Sequence, residues 1–443
     1  MNIKTNLKKC ISLISTTRIY GILMYFTLIL FLTSCFISFY SKNICKAFVN
    51  NFVIIPLLLV LIIGIITKRI LSKKLYIFCL CFLGWILITY LLKGENLHDI
   101  NNLYVFLNRC AFCVVAIPFA QVICDTQKRK YLDILLLTTI IIVAVLLWLC
   151  YIGTLTSENI ILFDKFEFGA TYTYTGRIKL KVLNLHYYHL GYLSLLCFFC
   201  CLYLTVSHWT KRLIPLWIFL LGTFSAGVIF TYSRTAIFTL IGGLLIALYI
   251  LLSNIKMKRS TRTHIFVSVL VCAVFITILG LNFIYSFMNS IRDIWYGITT
   301  LSSRTIIWQS TIDIFAKYPK ALICGFPLAD ITNLINQHLP NLDYVPNIHS
   351  GYLQTLLSIG LPGFIAVIIY ALYVLKTSIT IIFSNKNGTF TNAEKLMTIP
   401  PIACMVIGLF ESTIFYNSAR LEIFNLFTAL FSGYVICIKQ GRK

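Results

Sequence analysis

The sequence predicts an all-α, polytopic membrane protein with about twelve transmembrane helices, forming a single integral membrane domain over residues 1–443. Of the 443 residues, 59% are hydrophobic and 12% are charged, whereas a soluble domain is typically about 45–50% apolar and about 25% charged. Apolar runs of about 20 residues alternate with short polar connectors, and every second connector is basic. These observations exclude a soluble enzyme, a disordered protein and a nucleic-acid-binding module.

Each expected span is an apolar run long enough to cross the hydrocarbon core of a bilayer. The first is too long for a cleaved signal peptide and lacks a small-residue cleavage site, so we expect an uncleaved signal anchor. Tight hairpins surround Arg234 and Arg420. The expected spans are 20–40, 49–67, 75–92, 103–124, 132–153, 182–206, 213–231, 235–253, 265–286, 352–375, 396–414 and 421–438.

The net charge of +23 is explained by topology. With the N-terminus inside, 23 of the 37 Lys and Arg residues fall in the cytoplasmic segments. The positive-inside rule then places both termini in the cytoplasm of a multi-pass protein of the cytoplasmic membrane. Membrane lipid is therefore an expected partner and nucleic acid is not.

Two connectors on the outer side are long. The smaller outer loop covers 154–181, and the large outer loop, at 287–350 before the tenth span, is the longest polar stretch of the chain. Within the large loop we expect an amphipathic helix on the outer membrane surface. Ser302 and Ser303 offer an N-cap, and Tyr318-Pro319 ends the run. The residues that repeat at helical spacing are Ile307, Thr311, Ile314 and Phe315.

The sixteen cysteines fall mostly inside apolar spans, where a free cysteine behaves as a small hydrophobic residue. The pairs Cys110–Cys113 and Cys197–Cys200 have metal-ligand spacing, but no second pair follows at the right distance. We therefore predict no disulfide framework and no metal site. Phosphate-loop, dinucleotide-binding and HExxH motifs are also absent from the sequence.

Three segments facing outward carry groups suited to chemistry. They are Tyr232-Ser233-Arg234, Ser303-Arg304-Thr305 with Trp308, and Asn347-Ile348-His349-Ser350. Each has a structural alternative: a snorkelling arginine, a solvated helix face with an interfacial tryptophan, or a helix-capping histidine. Considered together, the three segments combine two kinds of functional group. The arginines can bind phosphate bidentately, and the imidazole can take a proton from a hydroxyl. Such groups could move a substituent from a phosphate leaving group onto an alcohol.

These segments resemble the O-antigen ligase family and the related O-antigen polymerases. The ligase pattern is His, then Asn, Ser or Gln, nine residues, Gly, two residues, and Gly, Thr or Tyr. His349, Ser350, Gly360 and Gly363 match every fixed position. The Ser-Arg at the start of the eighth span, the segment from Arg304 to Pro319 and the large loop before the histidine are also similar. The resemblance covers about 228–375.

The resemblance implies a membrane glycosyltransferase of the GT-C type that faces the periplasm or outside. Its donor is a glycan on undecaprenyl diphosphate, and it needs neither a cofactor nor a metal. Arg234 and Arg304 would hold the donor diphosphate and stabilise its departing charge. His349 would act as general base on the acceptor hydroxyl, or would orient that hydroxyl.

Three further residues are candidates from their position alone. Arg177 and Arg420 face outward and are candidate second phosphate contacts. Glu411, near the outer end of the eleventh span, is a candidate ion-pair partner of Arg420 or Arg234. A purely structural pair is the favoured role for Glu411.

Three functions fit the sequence to different degrees. An O-antigen ligase would transfer the glycan to lipid A–core in lipopolysaccharide biosynthesis, and the histidine pattern favours it. An O-antigen or capsular polysaccharide polymerase would use a lipid-linked repeat as acceptor and would need the same donor chemistry. A lipid-linked sugar transporter or flippase is less favoured, because charged residues lie mostly at the span ends.

Overall fold

The structure is a computed structural model that describes just over half of the chain. Side chains of the three strands, of Arg234 and of some residues at helix ends lie outside the described part. The described residues are isolated positions within 21–33 and the segments 73–93, 129–155, 160–162, 166–172, 178–182, 187–208, 210–231, 233–253, 304–338, 348–384, 389–411 and 422–441.

The apolar runs form helices, which confirms the helical membrane architecture. The helices are α1 Lys73–Leu92, α2 Arg129–Leu155, α3 Tyr187–Ser207, α4 Ile214–Phe230, α5 Arg234–Leu252, α6 Arg304–Lys317, α7 Ala321–Cys324, α8 Leu328–His338, α9 Gly351–Ile382, α10 Asn392–Leu396, α11 Ile399–Phe410 and α12 Glu422–Gly441.

Six segments of the described residues are long and apolar enough to cross a membrane. They lie in α1, α2, α3, α5 and α9 and in α10 with α11, at expected spans of the sequence. The seventh expected span is the shorter apolar helix α4, and the twelfth is α12. The expected spans 49–67, 103–124 and 265–286, and most of 20–40, lie outside the described residues.

Helix α12 lies at the centre of the bundle. Nearly all of its described side chains are buried, as expected for a helix that is apolar on every side. Phe427, Phe431 and Tyr434 pack into a cluster with α2, α3, α4, α5 and α11. Ala429 and Ile436 pack instead into a second cluster with α1 and α9. The two clusters therefore share α12 as a common wall.

A layer of shorter helices, α6 to α8, covers one end of the bundle. Helix α6 begins directly after Ser302-Ser303 and ends before Tyr318-Pro319, at the positions expected from the sequence. The apolar face that we expected on the membrane surface packs against protein: it forms a third cluster with α8 and with residues around the start of α9. Its members are Ile307, Ile314, Phe315, Ile331, Ile335, Ile348 and Leu357.

The smaller outer loop contains a sheet that the all-α expectation did not include. Strands β1 Ile160–Leu162, β2 Phe166–Tyr172 and β3 Ile178–Val182 form an antiparallel sheet in the order β1-β2-β3. Ile161 pairs with Glu167, and Thr171 pairs with Lys179. The sheet lies against α2.

Helix α9 is kinked within the motif that the sequence analysis singled out. Gly360 has a φ of +72°, in the left-handed region that glycine adopts without steric cost. A Cβ atom there would overlap the carbonyl of Ile323 in α7. Gly325, with a φ of +77°, lies on the opposite side of this contact, since a Cβ atom there would overlap the carbonyl oxygen of Leu357 in α9. The glycine of the motif is therefore required because two backbones touch at the kink.

The kink exposes helix carbonyls, and groups outside α9 satisfy them. Pro362 has no N–H to donate to the carbonyl four residues earlier, and an unsatisfied carbonyl is costly within a membrane. The donors are the Phe326 N–H to Leu357 O at 2.7 Å, Lys93 Nζ to Ser358 O, and Trp85 Nε1 to Ile359 O at 2.8 Å.

Candidate active site

Arg304, His349 and Glu411 meet at the end of the bundle that α6 to α8 cover. Arg304 Nη2 lies 2.5 Å from Glu411 Oε1, and His349 Nδ1 lies 3.5 Å from Glu411 Oε2. The exposed fraction of the side chain is 12% for Glu411, 18% for Arg304 and 30% for His349. The carboxylate thus lies deepest, and the imidazole is the most accessible of the three groups.

Arg304 is placed by the packing of α6. It is the first residue of the helix, and Trp308 follows one turn later on the same face. The Trp308 ring packs on Phe410 with centroids 6.5 Å apart, and its Nε1 donates to the carbonyl of Ile348 at 3.1 Å. The same helix face therefore contacts the residues that precede both Glu411 and His349.

His349 lies in an unusual backbone conformation. Its φ is +53°, and among the residues that the structure describes it is the only non-glycine with a positive φ. Histidine adopts this region more readily than most residues, but such a conformation still costs of order 1–3 kcal/mol and is concentrated at functional sites. The next residue, Ser350, is extended and caps α9 by accepting from the Leu353 N–H at 3.4 Å. The chain therefore turns sharply at the histidine.

The backbone of Glu411 fixes that turn to the end of α11. The Gly351 N–H, two residues after His349, donates to the carbonyl of Glu411 at 3.0 Å. This N–H is one of the donors that a helix leaves unpaired at its start. Glu411 thus contacts the histidine turn through its main chain as well as its carboxylate.

Tyr192 of α3 and Ser233 complete the buried side of the cluster. Tyr192 is 1% exposed, and its hydroxyl interacts with the side chains of Glu411 and Ser233. Ser233 is the N-cap of α5 and accepts from the Ala236 N–H at 3.3 Å. Close packing of Gly191 on Thr231 brings α3 to the turn that starts α5, since a Cβ at Gly191 would overlap the threonine hydroxyl.

Glu411 is ionised at neutral pH. Burial alone raises the pKa of its carboxyl. The contact with His349 and the positive charge of Arg304 outweigh that effect, so the pKa of the carboxyl lies below its ordinary value. A buried carboxylate of this kind holds cationic and N–H partners in fixed positions.

The structure describes some of the predicted site residues and not others. Arg304, His349 and Glu411 come together, and Glu411 pairs with Arg304. The expected pairing of Glu411 with Arg420 or Arg234 depends on side chains outside the described part and stays a prediction. Arg234 is the first residue of α5, directly after Ser233, and its side chain lies outside the described part. Arg177 and Arg420 also lie outside it.

Sequence reasoning missed Tyr192 and the role of Trp308. A tyrosine within an apolar span is usually a packing residue, so no local signal distinguished Tyr192. A membrane interface was one of the two alternatives considered for Trp308, although its spacing from Arg304 could have indicated a shared helix face. Among the described residues, no group of three His, Cys, Asp or Glu side chains could hold a metal ion; metal independence remains a prediction.

The centre of the chain is similar to a known protein family. Residues 217–368 match the family model described as O-antigen ligase. This segment, about a third of the chain, is therefore similar to that family. No curated protein matches the chain.

The matched segment contains three of the predicted site residues. Arg234, Arg304 and His349 lie within 217–368, as do most of α4, the helices α5 to α8 and the kink of α9. Tyr192 and Glu411 lie on either side of the matched residues. The matched segment thus holds the arginines and the histidine, and the flanking parts of the chain supply the carboxylate and the tyrosine.

Proposed function

We propose that this protein is a membrane glycosyltransferase that transfers a glycan from undecaprenyl diphosphate to a hydroxyl group of lipid A–core. The observation that carries this proposal is the cluster of Arg304 and His349 on the buried Glu411, formed within and beside the segment that matches the O-antigen ligase family model. A guanidinium and an imidazole side by side suit a reaction with a diphosphate leaving group and a hydroxyl nucleophile.

In the proposed reaction, the acceptor oxygen attacks the anomeric carbon of the first sugar of the glycan. The bond from that carbon to the phosphate oxygen breaks, and its electron pair leaves with undecaprenyl diphosphate. The acceptor proton passes to the ring nitrogen Nε2 of His349. Arg304 stabilises the charge that develops on the diphosphate, since only one of its nitrogens is engaged by Glu411 Oε1.

Arg234 is proposed as the second cation. It starts α5 directly after Ser233, whose side chain lies by Tyr192. A helix start also directs N–H groups towards an anion. Arg177 and Arg420 remain candidate phosphate contacts from their expected outward position. The distribution of Lys and Arg along the sequence supports an orientation in which this end of the bundle faces the periplasmic or outer side of the cytoplasmic membrane.

A polymerase is the second candidate, because the same donor chemistry serves a lipid-linked repeat as acceptor. The two functions differ only in the acceptor. The test is therefore an assay of purified protein in detergent with an undecaprenyl-diphosphate-linked repeat, with and without lipid A–core, resolved by gel.

A glycan on lipid A–core supports the ligase. A ladder of longer lipid-linked chains without added core supports the polymerase and overturns the ligase. Absence of product with either acceptor contradicts glycan transfer and favours a transporter. Arg304→Ala should reduce the rate by about 10²–10³-fold, as loss of a donor to a developing charge does. Lys317→Ala, at the exposed far end of the same helix, is the matched control.

A further inference from the structure

We propose that Glu411 is a positioning residue that sets the geometry of both Arg304 and His349. The proposal rests on the proposed function, since it assigns a role within that reaction. Glu411 touches neither donor nor acceptor in this scheme. It acts through the two groups that do.

Each carboxylate oxygen of Glu411 holds a different partner. Oε1 accepts from Arg304 Nη2 at 2.5 Å, and Oε2 faces His349 Nδ1 at 3.5 Å. A carboxylate is planar and rigid, so the cation and the imidazole are kept at a fixed separation on either side of one group. A change in the position of Glu411 would therefore displace both.

The contact with Nδ1 determines which ring nitrogen of His349 can accept a proton. A carboxylate beside Nδ1 favours the tautomer with hydrogen on Nδ1, which leaves the lone pair on Nε2. Carboxylates orient histidines in this way in metal sites and in serine hydrolases. The distance of 3.5 Å is longer than a hydrogen bond, and such contacts commonly tighten when substrate binds.

Glu411 can position other groups because it is itself held on several sides. Its N–H donates to the carbonyl of Ile407 at 2.9 Å, and its carbonyl accepts from Gly351 at 3.0 Å. Its side chain is 12% exposed and interacts with the hydroxyl of the buried Tyr192. Since these contacts come from α3, α9 and α11, the carboxylate has little freedom to move.

Tyr192 is the second member of this positioning pair. Its hydroxyl interacts with both Glu411 and Ser233, so it joins the carboxylate to the start of α5, where Arg234 lies. Loss of the hydroxyl should loosen the carboxylate without removing its charge. We therefore expect a smaller effect from Tyr192→Phe than from Glu411→Gln.

The experiment measures kcat and KM for the lipid-linked donor in Glu411→Gln, Glu411→Asp, Tyr192→Phe and His349→Ala. Loss of a group that orients another typically costs 10–100-fold. We expect kcat to fall by about 100-fold in Glu411→Gln, with donor KM changed by less than about threefold. Tyr192→Phe should lower kcat by about 10-fold. Glu411→Asp, which keeps the charge, should recover part of the loss.

Glu394→Gln is the matched control, because Glu394 is also buried but caps α10 away from the cluster. It should keep wild-type kinetics. If His349→Ala is inactive while Glu411→Gln keeps wild-type kcat, the positioning role is overturned and the proposed function stands. If His349→Ala is fully active, the proposed base itself fails, and the role of Glu411 fails with it.

If the Glu411→Gln protein does not fold, two milder variants replace it in the experiment. In that case the test uses Glu411→Asp and Tyr192→Phe. Each changes one side chain of the cluster, and both keep the carboxylate charge at position 411. Wild-type kcat in both overturns the proposal. A loss of kcat in both, at unchanged donor KM and wild-type elution from a sizing column, supports it.

Discussion

The indole Nε1 of Trp308 donates a 3.1 Å hydrogen bond to the carbonyl of Ile348, the residue before His349. Because Arg304 lies one turn before Trp308 in α6, this bond fixes the distance between the helix of the arginine and the turn of the histidine. The layer of short helices α6 to α8 is therefore part of the site, since α6 contacts the residues next to His349 and Glu411.

Trp308→Phe should weaken this connection. Loss of the hydrogen bond costs about 1 kcal/mol of stability, and displacement of the histidine turn should lower kcat by about 10-fold. Thermal unfolding in detergent and steady-state kinetics measure the two effects. Trp148→Phe is the control, because it removes a comparable indole bond, at 3.3 Å to Thr223, away from the cluster. Equal loss of activity in both variants would contradict a specific role for Trp308.

Gly360→Ala should destabilise the protein strongly. The alanine would adopt a φ of +72° and its Cβ would overlap the Ile323 carbonyl, so strain and overpacking together should cost about 2–6 kcal/mol. The midpoint of thermal unfolding is the measurement. Gly242→Ala, in α5 with open space around the glycine, should be neutral or stabilising. A Gly360→Ala protein as stable as wild type would contradict the kink.

The same glycine shows how far sequence alone could go. Gly360 and Gly363 were recognised as family positions, and Pro362 was visible between them, but the resemblance directed attention to chemistry and away from a helix break. The hydropathy pattern predicted the helices well, since each apolar run must be buried or face lipid. The hydropathy pattern could not indicate that α7 would approach the kink. This contact is made by backbone atoms, and a hydropathy pattern reports only on side chains.

The partner of Glu411 was beyond sequence reasoning for a similar reason. Arg304 and Glu411 are 107 positions apart, so no local pattern in the sequence indicates that they pair, and only Arg420 and Arg234 were considered as partners. The sheet, in contrast, had a local signal. Residues 166–172, Phe-Glu-Phe-Gly-Ala-Thr-Tyr, alternate apolar side chains with others over most of β2, which is the period of a strand.

Lys93→Met should destabilise the kinked helix. Lys93 Nζ donates to the carbonyl of Ser358, which Pro362 leaves without its helical donor. A buried carbonyl left unsatisfied costs about 1–3 kcal/mol, so the unfolding midpoint should fall. Lys74→Met is the control. Lys74 is exposed at the start of α1, the helix that ends directly before Lys93, so this substitution should change stability little. Equal midpoints for the two variants would show that Lys93 does not satisfy the carbonyl.

Acid should weaken the cluster through Glu411. Its pKa lies below the ordinary value of 4.5. A carboxyl group with a lowered pKa contributes its full stability above the unfolded pKa and loses it as the pH falls through the folded pKa. In Glu411→Gln the unfolding midpoint should therefore fall less steeply below about pH 4.5 than in wild type. Trp308→Phe, which removes no carboxyl, should lower the midpoint at every pH; identical slopes in all three proteins would contradict the ion-pair assignment.

The most direct test of the site is the rate of glycan transfer by His349→Ala compared with that of His338→Ala. His338 ends α8 and bonds only its own helix carbonyl, at Leu334 O, among the hydrogen bonds that the structure describes for its ring. Loss of a general base should reduce kcat by about 10²–10⁴-fold, while the control keeps the wild-type rate. Full activity in His349→Ala would contradict the assignment of this cluster as the active site.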